Sequence, residues 1–546
     1  MQIIVAGAAG QGSKKAGLLI GKLFNHYGYK IFIHEDYESV IKGGHNFSQI
    51  SVSKEEGSAI SERVDYLLAL NKEAIEKHIP KLKKGGVLLY DDQIEGLEES
   101  IFPKGVDKES APLKSFVEKA EGIDLMKNTA LVAAFAKMAG LEWEEVKKVL
   151  ERELPVKTEK NLEVAGLAFE GMEKRGEVEK LSEEPSYLLS GNQAVALGAL
   201  QAGLENYYAY PMTPSTGVLR FLSGIDGVRT FQPESEIAVI NSALGSAYAG
   251  KRTMIGTSGG GFALMTEGIS FSAQAEIPLL ITLSQRMGPA TGVPTYTAQA
   301  DLSFALSSGH GDMVRLIAAP GDTKEAYLLS GKCMNMAWKY QLPAILLLDK
   351  ELAENTYSTK RDFHIEKEEA VIGEESEDYL RYEGEDISPV CFPGGEATVK
   401  VSGYEHDKKG IATENAEEIK EMHEKRLRKY EKLKNEVESL SEAVKVHKEG
   451  ETTVVFWGSS KGAVLEATKE MDVGVLQILF MQPLPEERIK EALKGKEKII
   501  CVETNATGQL ANLLSCAGVK VSEKVLKYDG RPFTVEELKR RLEVSK

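Results

Sequence analysis

Short runs of apolar, often β-branched residues alternate with helical patterns along the first third of the chain. The apolar runs lie at residues 3–5, 31–33, 66–69 and 86–90. Alternating strand and helix signals of this kind predict βαβ units around a parallel sheet. We therefore predict a first α/β domain over residues 1–178.

The pattern changes where charged residues replace the periodic apolar ones. Residues 172–185 contain many charges and little to bury, which is typical of a linker. Gly, Ala, Ser and Thr then become frequent, and a second α/β domain is predicted over residues 186–365. Its buried-looking strands lie at residues 253–257, 279–283, 313–318 and 344–348.

A linker and a long polar helix are predicted within residues 366–449, the helix running from about residue 415 to 446. Its apolar positions step by three and four residues, at Tyr430, Leu433, Val437, Leu440 and Val444. Such a narrow stripe faces one neighbour, while charged side chains cover the rest of the helix. The stripe indicates either docking on the chain's own domain or contact with another subunit.

Strand and helix signals resume in the last part of the chain, with strands at residues 453–456, 475–478 and 498–502. They predict a third α/β domain over residues 450–546. The expected fold class is therefore α/β, with three parallel-sheet domains.

Composition limits the class of protein. The chain has 546 residues with 67 basic and 83 acidic side chains, and its net charge of -16 argues against a nucleic-acid or anionic-membrane surface. The four cysteines are far apart, so neither a disulfide framework nor a zinc or iron–sulfur site is predicted. No secretion signal or membrane span is recognised, and the reducing cytoplasm is the expected compartment.

A glycine loop near the N-terminus carries the first candidate chemistry. Gly7, Gly10 and Gly12 follow the first strand and open a helix, so their backbone N–H groups suit a phosphate. The loop lacks the middle Gly of a dinucleotide fingerprint, although Glu35 or Asp36 lies where a ribose-binding acid would. A tight turn, a phosphate or coenzyme contact and NAD binding are the three interpretations.

Lys42, Gly43 and Gly44 form a second glycine loop with a cation before it. It could close over an anion bound at the first loop, and a simple turn fits the same residues. His45 is either a proton-transfer group or a structural histidine.

The second domain contains a loop stiffened by proline. It begins at Tyr210, and Pro211 and Pro214 fix the backbone on either side of Thr213. The Thr213 hydroxyl therefore loses little conformational entropy on binding a small polar ligand. The alternative is a proline turn, capped by Ser215, that only starts the next helix.

Glu236 opens a helix of small and apolar residues, so its carboxylate is expected to be buried, as a proton donor or hydrogen-bond partner. Glu234 is the rival acid. The alternative role is stabilisation of the helix start by a negative charge.

Ser258 and Gly259 follow a strand and allow close approach of a ligand to the backbone. Arg286 lies where the next strand ends, and open α/β sheets bind ligands at the carboxyl ends of their strands. The guanidinium offers a fixed fork for a carboxylate. A surface ion pair is the alternative for Arg286.

Together these motifs resemble the family of 2-oxoacid:ferredoxin oxidoreductases, in the form with a gamma-type domain fused ahead of the alpha subunit. The likeness covers nearly the whole chain. Segments 7–12 and 42–44 resemble the gamma domain, and the pyrimidine-binding alpha domain is matched by segments 191–194, 210–216, 257–259 and 285–295. The connecting and transketolase-C-terminal-like parts are matched by segments 405–407, 425–426, 458–462, 503–509 and 528–532. The departures from the family pattern are Gln193, Met212, Gly260 and Ala290.

The resemblance implies a thiamine diphosphate enzyme that decarboxylates a 2-oxoacid, passes electrons through an iron–sulfur cluster to ferredoxin, and forms acyl-CoA. It implies that Glu236 hydrogen-bonds the aminopyrimidine of the cofactor. It implies further contacts on the thiamine diphosphate side from Tyr210, Pro211, Ser258 and Gly259.

By the same resemblance, Thr213 and Arg286 would hold the carboxylate and carbonyl of the substrate. Coenzyme A would contact the glycine loops of the first domain, at Gly7, Gly10, Gly12, Lys42, Gly43 and Gly44.

The resemblance also implies a beta subunit that carries the diphosphate, the magnesium ion and the 4Fe-4S cluster, with no metal on this chain. Two rival functions are an NAD-dependent oxidoreductase that uses the first glycine loop and a noncatalytic scaffold subunit. The residues do not decide between pyruvate, 2-oxoglutarate and other 2-oxoacids.

Overall fold

The computed structural model describes residues 1–40, 43–182, 184–360 and 363–545. The chain forms two compact units. The first unit comprises Met1–Leu189, Asn355–Arg361 and Phe533–Arg540, and the second comprises Ser190–Glu354, Asp362–Pro532 and Arg541–Lys546. Across the described residues, no helix has the length and apolar character needed to cross a lipid bilayer.

The strands follow one another as β1 Gln2–Ala8, β2 Lys30–Tyr37, β3 His45–Ser53, β4 Val64–Ala69, β5 Leu82–Asp91, β6 Asp107–Ala111, β7 Tyr187–Ser190, β8 Asn206–Tyr208, β9 Arg229–Phe231, β10 Thr253–Thr257, β11 Leu279–Gln285, β12 Leu316–Ala318, β13 Pro343–Asp349, β14 Thr356–Thr359, β15 Val444–Lys448, β16 Thr452–Phe456, β17 Gly474–Ile478, β18 Phe480–Gln482, β19 Lys498–Glu503 and β20 Glu523–Leu526.

The α-helices are α1 Ser13–His26, α2 Lys72–His78, α3 Leu113–Lys119, α4 Lys127–Ala139, α5 Trp143–Glu153, α6 Thr158–Glu170, α7 Gly191–Gln201, α8 Thr216–Leu222, α9 Glu236–Tyr248, α10 Gly259–Leu264, α11 Thr266–Gln274, α12 Leu302–Ser307, α13 Thr323–Tyr340, α14 Lys350–Glu354, α15 Ala416–Ser439, α16 Ser460–Thr468, α17 Glu486–Ala492, α18 Gln509–Cys516 and α19 Val535–Val544.

The first sheet has eight strands in the order β6-β5-β4-β1-β3-β2-β14-β7. The pairs β1/β4, β4/β5 and β5/β6 are parallel, as the alternating pattern predicts. Strand β3 is antiparallel to both β1 and β2, and β14 is antiparallel to β2, so this sheet is mixed. The sequence pattern did not predict β3. This strand follows the second glycine loop directly and mixes polar with apolar residues.

The second sheet has seven strands in the order β18-β12-β13-β11-β10-β8-β9. Its strands are parallel except β18, which is antiparallel to β12. Because parallel strands all end on one edge, the residues after β8, β10 and β11 lie on the same side of the sheet. That edge carries the proline loop, Ser258 and Arg286.

The third sheet has five strands in the order β15-β17-β16-β19-β20. It belongs to the same compact unit as the second sheet, and one hydrophobic core joins them, with Ile345 and Leu347 beside Trp457 and Leu476. The predicted α/β class with three sheets is confirmed. The second and third sheets share this core because both contribute apolar side chains to it.

Helix α15 ends at Ser439, earlier than the predicted residue 446, and Val444 begins strand β15 instead. Leu433 and Val437 of the predicted stripe are buried, together with the side chains of Lys425 and Lys429. The helix is docked on its own unit through a seam that is partly charged, which a search for apolar periodicity alone does not reveal.

Candidate active site

The proline loop after β8 is held by its backbone carbonyls. Ser215 Oγ donates to the carbonyl of Met212 at 2.9 Å, and Asn192 Nδ2 donates to the carbonyl of Pro214 at 3.0 Å. Across the described residues, no partner is found for the Thr213 hydroxyl. The loop backbone is therefore fixed, and the Thr213 hydroxyl is available to a ligand. Tyr210 and Pro211 are exposed at the start of the loop.

Arg286 follows β11 and reaches this loop. Its Nη1 donates to the carbonyl of Thr213 at 2.8 Å. Burial lowers the pKa of the half-buried guanidinium from its usual value. Within the part of the chain that the structure describes, no carboxylate forms an ion pair with Arg286. The structure thus brings Arg286 and Thr213 together, and the surface ion pair weighed for Arg286 is not what it forms.

Glu236 is buried at the first position of α9, with 5% of its surface exposed, whereas Glu234 is exposed. A Cβ added to Gly261 of α10 would lie 2.7 Å from Glu236 Oε1, so the carboxylate packs directly under the glycine. None of the described residues donates a hydrogen bond to this carboxylate. A buried carboxylate without a donor is costly unless a ligand completes it. Burial therefore favours Glu236 over Glu234 as the candidate acid of the site.

Ser258 and Gly259 lie between β10 and α10. Ser258 is fully buried, and its Oγ has no hydrogen-bond partner in the structure. A Cβ added to Gly259 would lie 2.7 Å from Oδ2 of Asp301, so only glycine fits at this position without displacing the carboxyl. Both residues therefore line the same edge as Glu236 and Arg286.

Two residues of the site were missed by the sequence reasoning. Asp301 immediately precedes α12, and burial raises the pKa of its carboxyl to about 6, although the charge of Arg286 acts in the opposite direction. Thr295 is buried, and its hydroxyl has no hydrogen-bond partner among the described residues. The signal that could have found Asp301 is an isolated acid directly before the apolar Leu302, in a segment rich in small residues.

A segment after β20 holds the loop that follows Arg286. Met287 N–H donates to the carbonyl of Tyr296 at 2.9 Å, which closes the loop on itself. Thr297 N–H donates to the carbonyl of Gly530 at 3.2 Å, and the Arg531 guanidinium lies over the Tyr296 ring at 3.6 Å. The arginine loop is thus supported by residues far away in the sequence.

The two glycine loops of the first unit meet by a hydrogen bond from Ala9 N–H to the carbonyl of Gly44, at 3.0 Å. Gly10 and Gly43 have φ angles of 92° and 77°, and added Cβ atoms there would meet nothing within 4 Å. Gly12, with φ 81°, presses against the Asn128 side chain. The loops leave open backbone at Gly10 and Gly43, and Lys42 lies outside the described residues.

The acids proposed for a ribose contact lie within strand β2. Glu35 is buried and accepts a hydrogen bond from Ser48 Oγ at 2.9 Å. Asp36 is also buried. Their placement in the sheet does not favour the NAD interpretation of the first loop.

His45 begins β3 and pairs with His78 of α2, Nε2 to Nε2, at 2.7 Å. Both rings are buried, and burial lowers the pKa of His45 and that of His78, the latter to about 2. The pair therefore stays neutral at physiological pH, which favours the structural interpretation of His45.

Family models match three consecutive parts of the chain. Residues 2–171 match pyruvate ferredoxin/flavodoxin oxidoreductase, and residues 197–425 match the thiamine diphosphate-binding part of pyruvate flavodoxin/ferredoxin oxidoreductase. Residues 451–538 match core domain II of pyruvate:ferredoxin oxidoreductase. The thiamine diphosphate-binding match contains Thr213, Glu236 and Arg286.

The alpha subunit of 2-oxoacid:ferredoxin oxidoreductase from Saccharolobus solfataricus is 31% identical, over 98% of this chain and 96% of that protein. The alpha subunit of 2-oxoacid:ferredoxin oxidoreductase 2 from Aeropyrum pernix is 32% identical, again over 98% and 96%. The chain belongs to the 2-oxoacid:ferredoxin oxidoreductase family.

A solved structure of a family member has the same fold over its full length. The 2-oxoglutarate:ferredoxin oxidoreductase from Magnetococcus marinus, with 2-oxoglutarate, coenzyme A and succinyl-CoA bound, aligns with a TM-score of 0.89. The two are 28% identical, and the alignment covers 100% of this chain and 99% of that one. The resemblance drawn from the motifs is confirmed, and the chain is a subunit of an oxidoreductase of this family. Neither the NAD-dependent nor the scaffold alternative is supported.

The residues at the edge of the second sheet fit thiamine diphosphate. Glu236 supplies a buried carboxylate and Ser258 a buried hydroxyl, and neither group has a hydrogen-bond partner among the described residues. Gly259 and Gly261 keep the backbone bare beside them. When bound, the cofactor would supply a carbanion nucleophile and an electron sink for decarboxylation of a 2-oxoacid. The described residues include no cluster of three or more His, Cys, Asp or Glu placed to hold a metal ion.

Proposed function

We propose that this chain supplies half of the active site of a 2-oxoacid:ferredoxin oxidoreductase. In that half, Glu236 acts on the cofactor, and Thr213 and Arg286 bind the substrate. The enzyme would convert a 2-oxoacid and coenzyme A to acyl-CoA and CO2 and reduce ferredoxin. The observation that carries this proposal is that Glu236, whose buried carboxylate has no donor among the described residues, and the Arg286–Thr213 pair lie on one edge of the second sheet. The absence of a membrane-crossing helix among the described residues agrees with a cytoplasmic enzyme.

Each residue has a distinct role in this proposal. Glu236 hydrogen-bonds the aminopyrimidine and moves a proton at its ring nitrogen, since a buried carboxylate next to a ligand can both donate and accept. The cofactor is contacted from this chain's side by Tyr210, Pro211, Ser258 and Gly259. These roles need no metal ligand from this chain.

Arg286 and Thr213 orient the substrate. The guanidinium is fixed by one hydrogen bond to the Thr213 carbonyl and retains other N–H groups for a carboxylate. The Thr213 hydroxyl is left to donate to the substrate's carbonyl or carboxylate oxygen. Substrates such as pyruvate and 2-oxoglutarate share the 2-oxoacid group that these two side chains would recognise.

A beta subunit completes the site in this proposal and carries the diphosphate, magnesium and 4Fe-4S sites. The outer face of α9 supports a partner surface, since Ile237 is 54% exposed and a Cβ on Gly245 would meet nothing within 4 Å. Phe231 and Leu264 are also more than half exposed. Exposed apolar side chains on the elements that carry a half-built site are typical of a subunit interface.

Coenzyme A would contact the paired glycine loops of the first unit. Gly10 and Gly43 present open backbone at positive φ, which suits close approach of a phosphate or pantetheine group. Gly7, Gly12, Gly44 and Lys42 complete this proposed contact. The Magnetococcus marinus structure contains coenzyme A, which supports a test of the same ligand here.

The test is to purify the chain with the partner that binds it natively and to assay the complex with a panel of 2-oxoacids, coenzyme A and a one-electron acceptor. We expect acyl-CoA to form, and Arg286→Ala to raise the KM for the 2-oxoacid by at least tenfold. Arg220→Ala, at an exposed arginine of α8, is the matched control and should change little. Full activity of Arg286→Ala and Glu236→Gln together with the partner would show instead that this chain is a scaffold.

A further inference from the structure

Asp301 lies on the same edge of the second sheet as Arg286 and has no role in the proposed function so far. Its backbone N–H donates to Gln285 Oε1 at 2.9 Å, which ties it to the end of β11 that leads into Arg286. Its carboxyl lies flat against Gly259, since an added Cβ there would be 2.7 Å from Oδ2 and 3.1 Å from Oδ1. Asp301 is therefore fixed between the proposed cofactor side and the proposed substrate side.

The Asp301 carboxyl has no hydrogen bond and no ion pair with any of the described residues. Arg286, at the end of β11, is the charged group whose field reaches it, and it favours the ionised form. Glu236, on α9, packs against Gly261 rather than against Gly259. Burial outweighs the field of Arg286 and raises the pKa of Asp301 to about 6, so the carboxyl changes charge close to neutral pH.

The position of this carboxyl conflicts with the charge of the substrate. A 2-oxoacid is an anion at neutral pH, and in the proposed function its carboxylate binds at Arg286. An ionised Asp301 beside the same guanidinium would compete for it and repel the incoming anion, strongly so where water is partly excluded. A neutral Asp301 removes the repulsion and offers an O–H donor.

We propose that Asp301 takes up one proton from solvent when an anionic 2-oxoacid binds at Arg286, and that only the protonated carboxyl admits the substrate. The inference rests on the proposed function, because it assumes that Arg286 receives the substrate carboxylate. The proton returns to solvent when the site empties, so no net acid is consumed. Asp301 is thus a positioning residue that links substrate affinity to pH.

The linkage has a measurable size. If only the protonated form binds, apparent affinity falls with the fraction of competent sites, which above pH 6 drops on the order of tenfold per pH unit. By reciprocity, binding at a pH above 6 must draw protons from solvent. Asp301→Asn keeps the shape of the side chain and removes the titration, so its affinity should not depend on pH.

The experiment uses the complete complex with its partner subunit and oxamate, an unreactive anionic isostere of a 2-oxoacid. Its inhibition constant is measured from pH 6 to pH 8, and calorimetry in buffers of different ionisation enthalpy counts the protons taken up at pH 7.5. For the native chain we expect the constant to rise on the order of fiftyfold across this range, with close to one proton bound per oxamate. For Asp301→Asn we expect a flat profile and no proton uptake.

A second pair of variants covers the case in which Asp301→Asn does not assemble. Gly259→Ala places a methyl group where the carboxyl lies and must displace it, whereas Gly260→Ala adds a methyl that meets nothing within 4 Å. We expect Gly259→Ala to shift the midpoint of the pH profile and Gly260→Ala to keep the native one. Identical profiles for the two variants would overturn the proposal.

The outcomes separate the two proposals. A complex that forms no acyl-CoA from any 2-oxoacid contradicts the proposed function. A complex that forms acyl-CoA but binds oxamate equally well from pH 6 to pH 8, or that retains the native profile in Asp301→Asn, contradicts only the role of Asp301.

Discussion

At the scale of single residues, burial rather than residue type distinguishes the acids of the site. Glu234 and Glu236 are both acids next to the start of α9, yet Glu234 is exposed and Glu236 is buried under Gly261. Asp301 is a third acid, set against a different glycine of the same short helix. The bare glycines Gly259 and Gly261 make room for carboxyl groups that any larger residue would displace.

Glu236→Gln should slow proton exchange at the thiazolium C2 of bound thiamine diphosphate. Loss of a positioned proton-transfer group costs about 10²–10⁴-fold, and we expect a decrease in that range. The measurement is hydrogen–deuterium exchange of the cofactor bound to the complete complex, with iron content as a check on assembly. Glu234→Gln is the matched control, since its exposed side chain should leave exchange unchanged. Unchanged exchange in Glu236→Gln would remove the proposed role of this acid.

At the scale of elements, helix α15 is attached through buried charges. Lys425 Nζ lies 2.7 Å from Glu276 Oε1, and Lys429 also binds the Glu276 carboxylate. All three side chains are almost completely buried, and the two ammonium groups keep the pKa of Glu276 far below its usual range. Burial lowers the pKa of Lys429 to about 8. The docking of this helix therefore depends on one carboxylate that serves two cations.

Lys429→Met should destabilise the second unit. Removal of one partner from a buried ion pair typically costs about 3–5 kcal/mol, although Lys425 remains here to compensate Glu276 and places the value at the low end. Lys420→Met is the control on the same helix, because its pair with Glu424 is exposed and worth about 0.3–0.5 kcal/mol. Denaturant unfolding of the two variants gives the difference. Equal stability would show that the buried pair contributes no more than a surface pair.

The support of the arginine loop is also a property of elements. Gly530 has φ 78°, and a Cβ there would lie 3.1 Å from Tyr296 Cβ. We expect Gly530→Ala to displace the loop after Arg286 and to raise the KM for the 2-oxoacid severalfold more than it lowers kcat. Gly518→Ala is the matched control, with a similar φ of 83° and no neighbour within 4 Å. A similar KM for both variants would show that only backbone strain, and not loop position, is affected.

At the scale of the whole molecule, we propose that the chain holds only half of an active site. Among the described residues, the Glu236 carboxylate and the Thr213 and Ser258 hydroxyls of the proposed site have no hydrogen-bond partner, and Arg286 has no carboxylate partner. Exposed apolar side chains lie on the elements that carry the site. The relatives that match over the full chain are named as alpha subunits, which places this chain within a multi-subunit enzyme. We propose that an assembly partner covers the apolar surface and closes the site.

Ile237→Arg should abolish assembly without unfolding the chain. The side chain is 54% exposed, so its replacement costs little in the free chain but buries a charge in the proposed interface. Size-exclusion chromatography with the partner subunit, together with circular dichroism of the variant alone, measures both effects. Val446→Arg, at a residue 48% exposed on strand β15, is the control and should assemble normally. Normal assembly of Ile237→Arg would move the interface away from α9.

Much of the fold and part of the site follow from local sequence. The strands at residues 253–257, 279–283 and 344–348 were predicted almost to the residue, because buried parallel strands read as continuous apolar runs. The burial of Glu236 followed from the small, apolar helix that it opens. Strand β14 was not predicted, because its four residues are stabilised by pairing with distant strands, β2 more than 300 residues earlier and β7. Asp301 was missed because Gly259, which it contacts, is distant in sequence.

The sequence by itself determined the elements, the glycine and proline loops, and the residue types able to hold a polar cofactor and an anionic substrate. Periodicity and turn chemistry are local, so they can be read along the chain. Only the tertiary structure decided that Arg286 reaches the Thr213 carbonyl and that Gly530 supports the loop after Arg286. It also decided that the Asp301 carboxyl, unpaired among the described residues, lies against Gly259. Those facts depend on which distant segments the core brings together, and a local pattern does not encode that pairing.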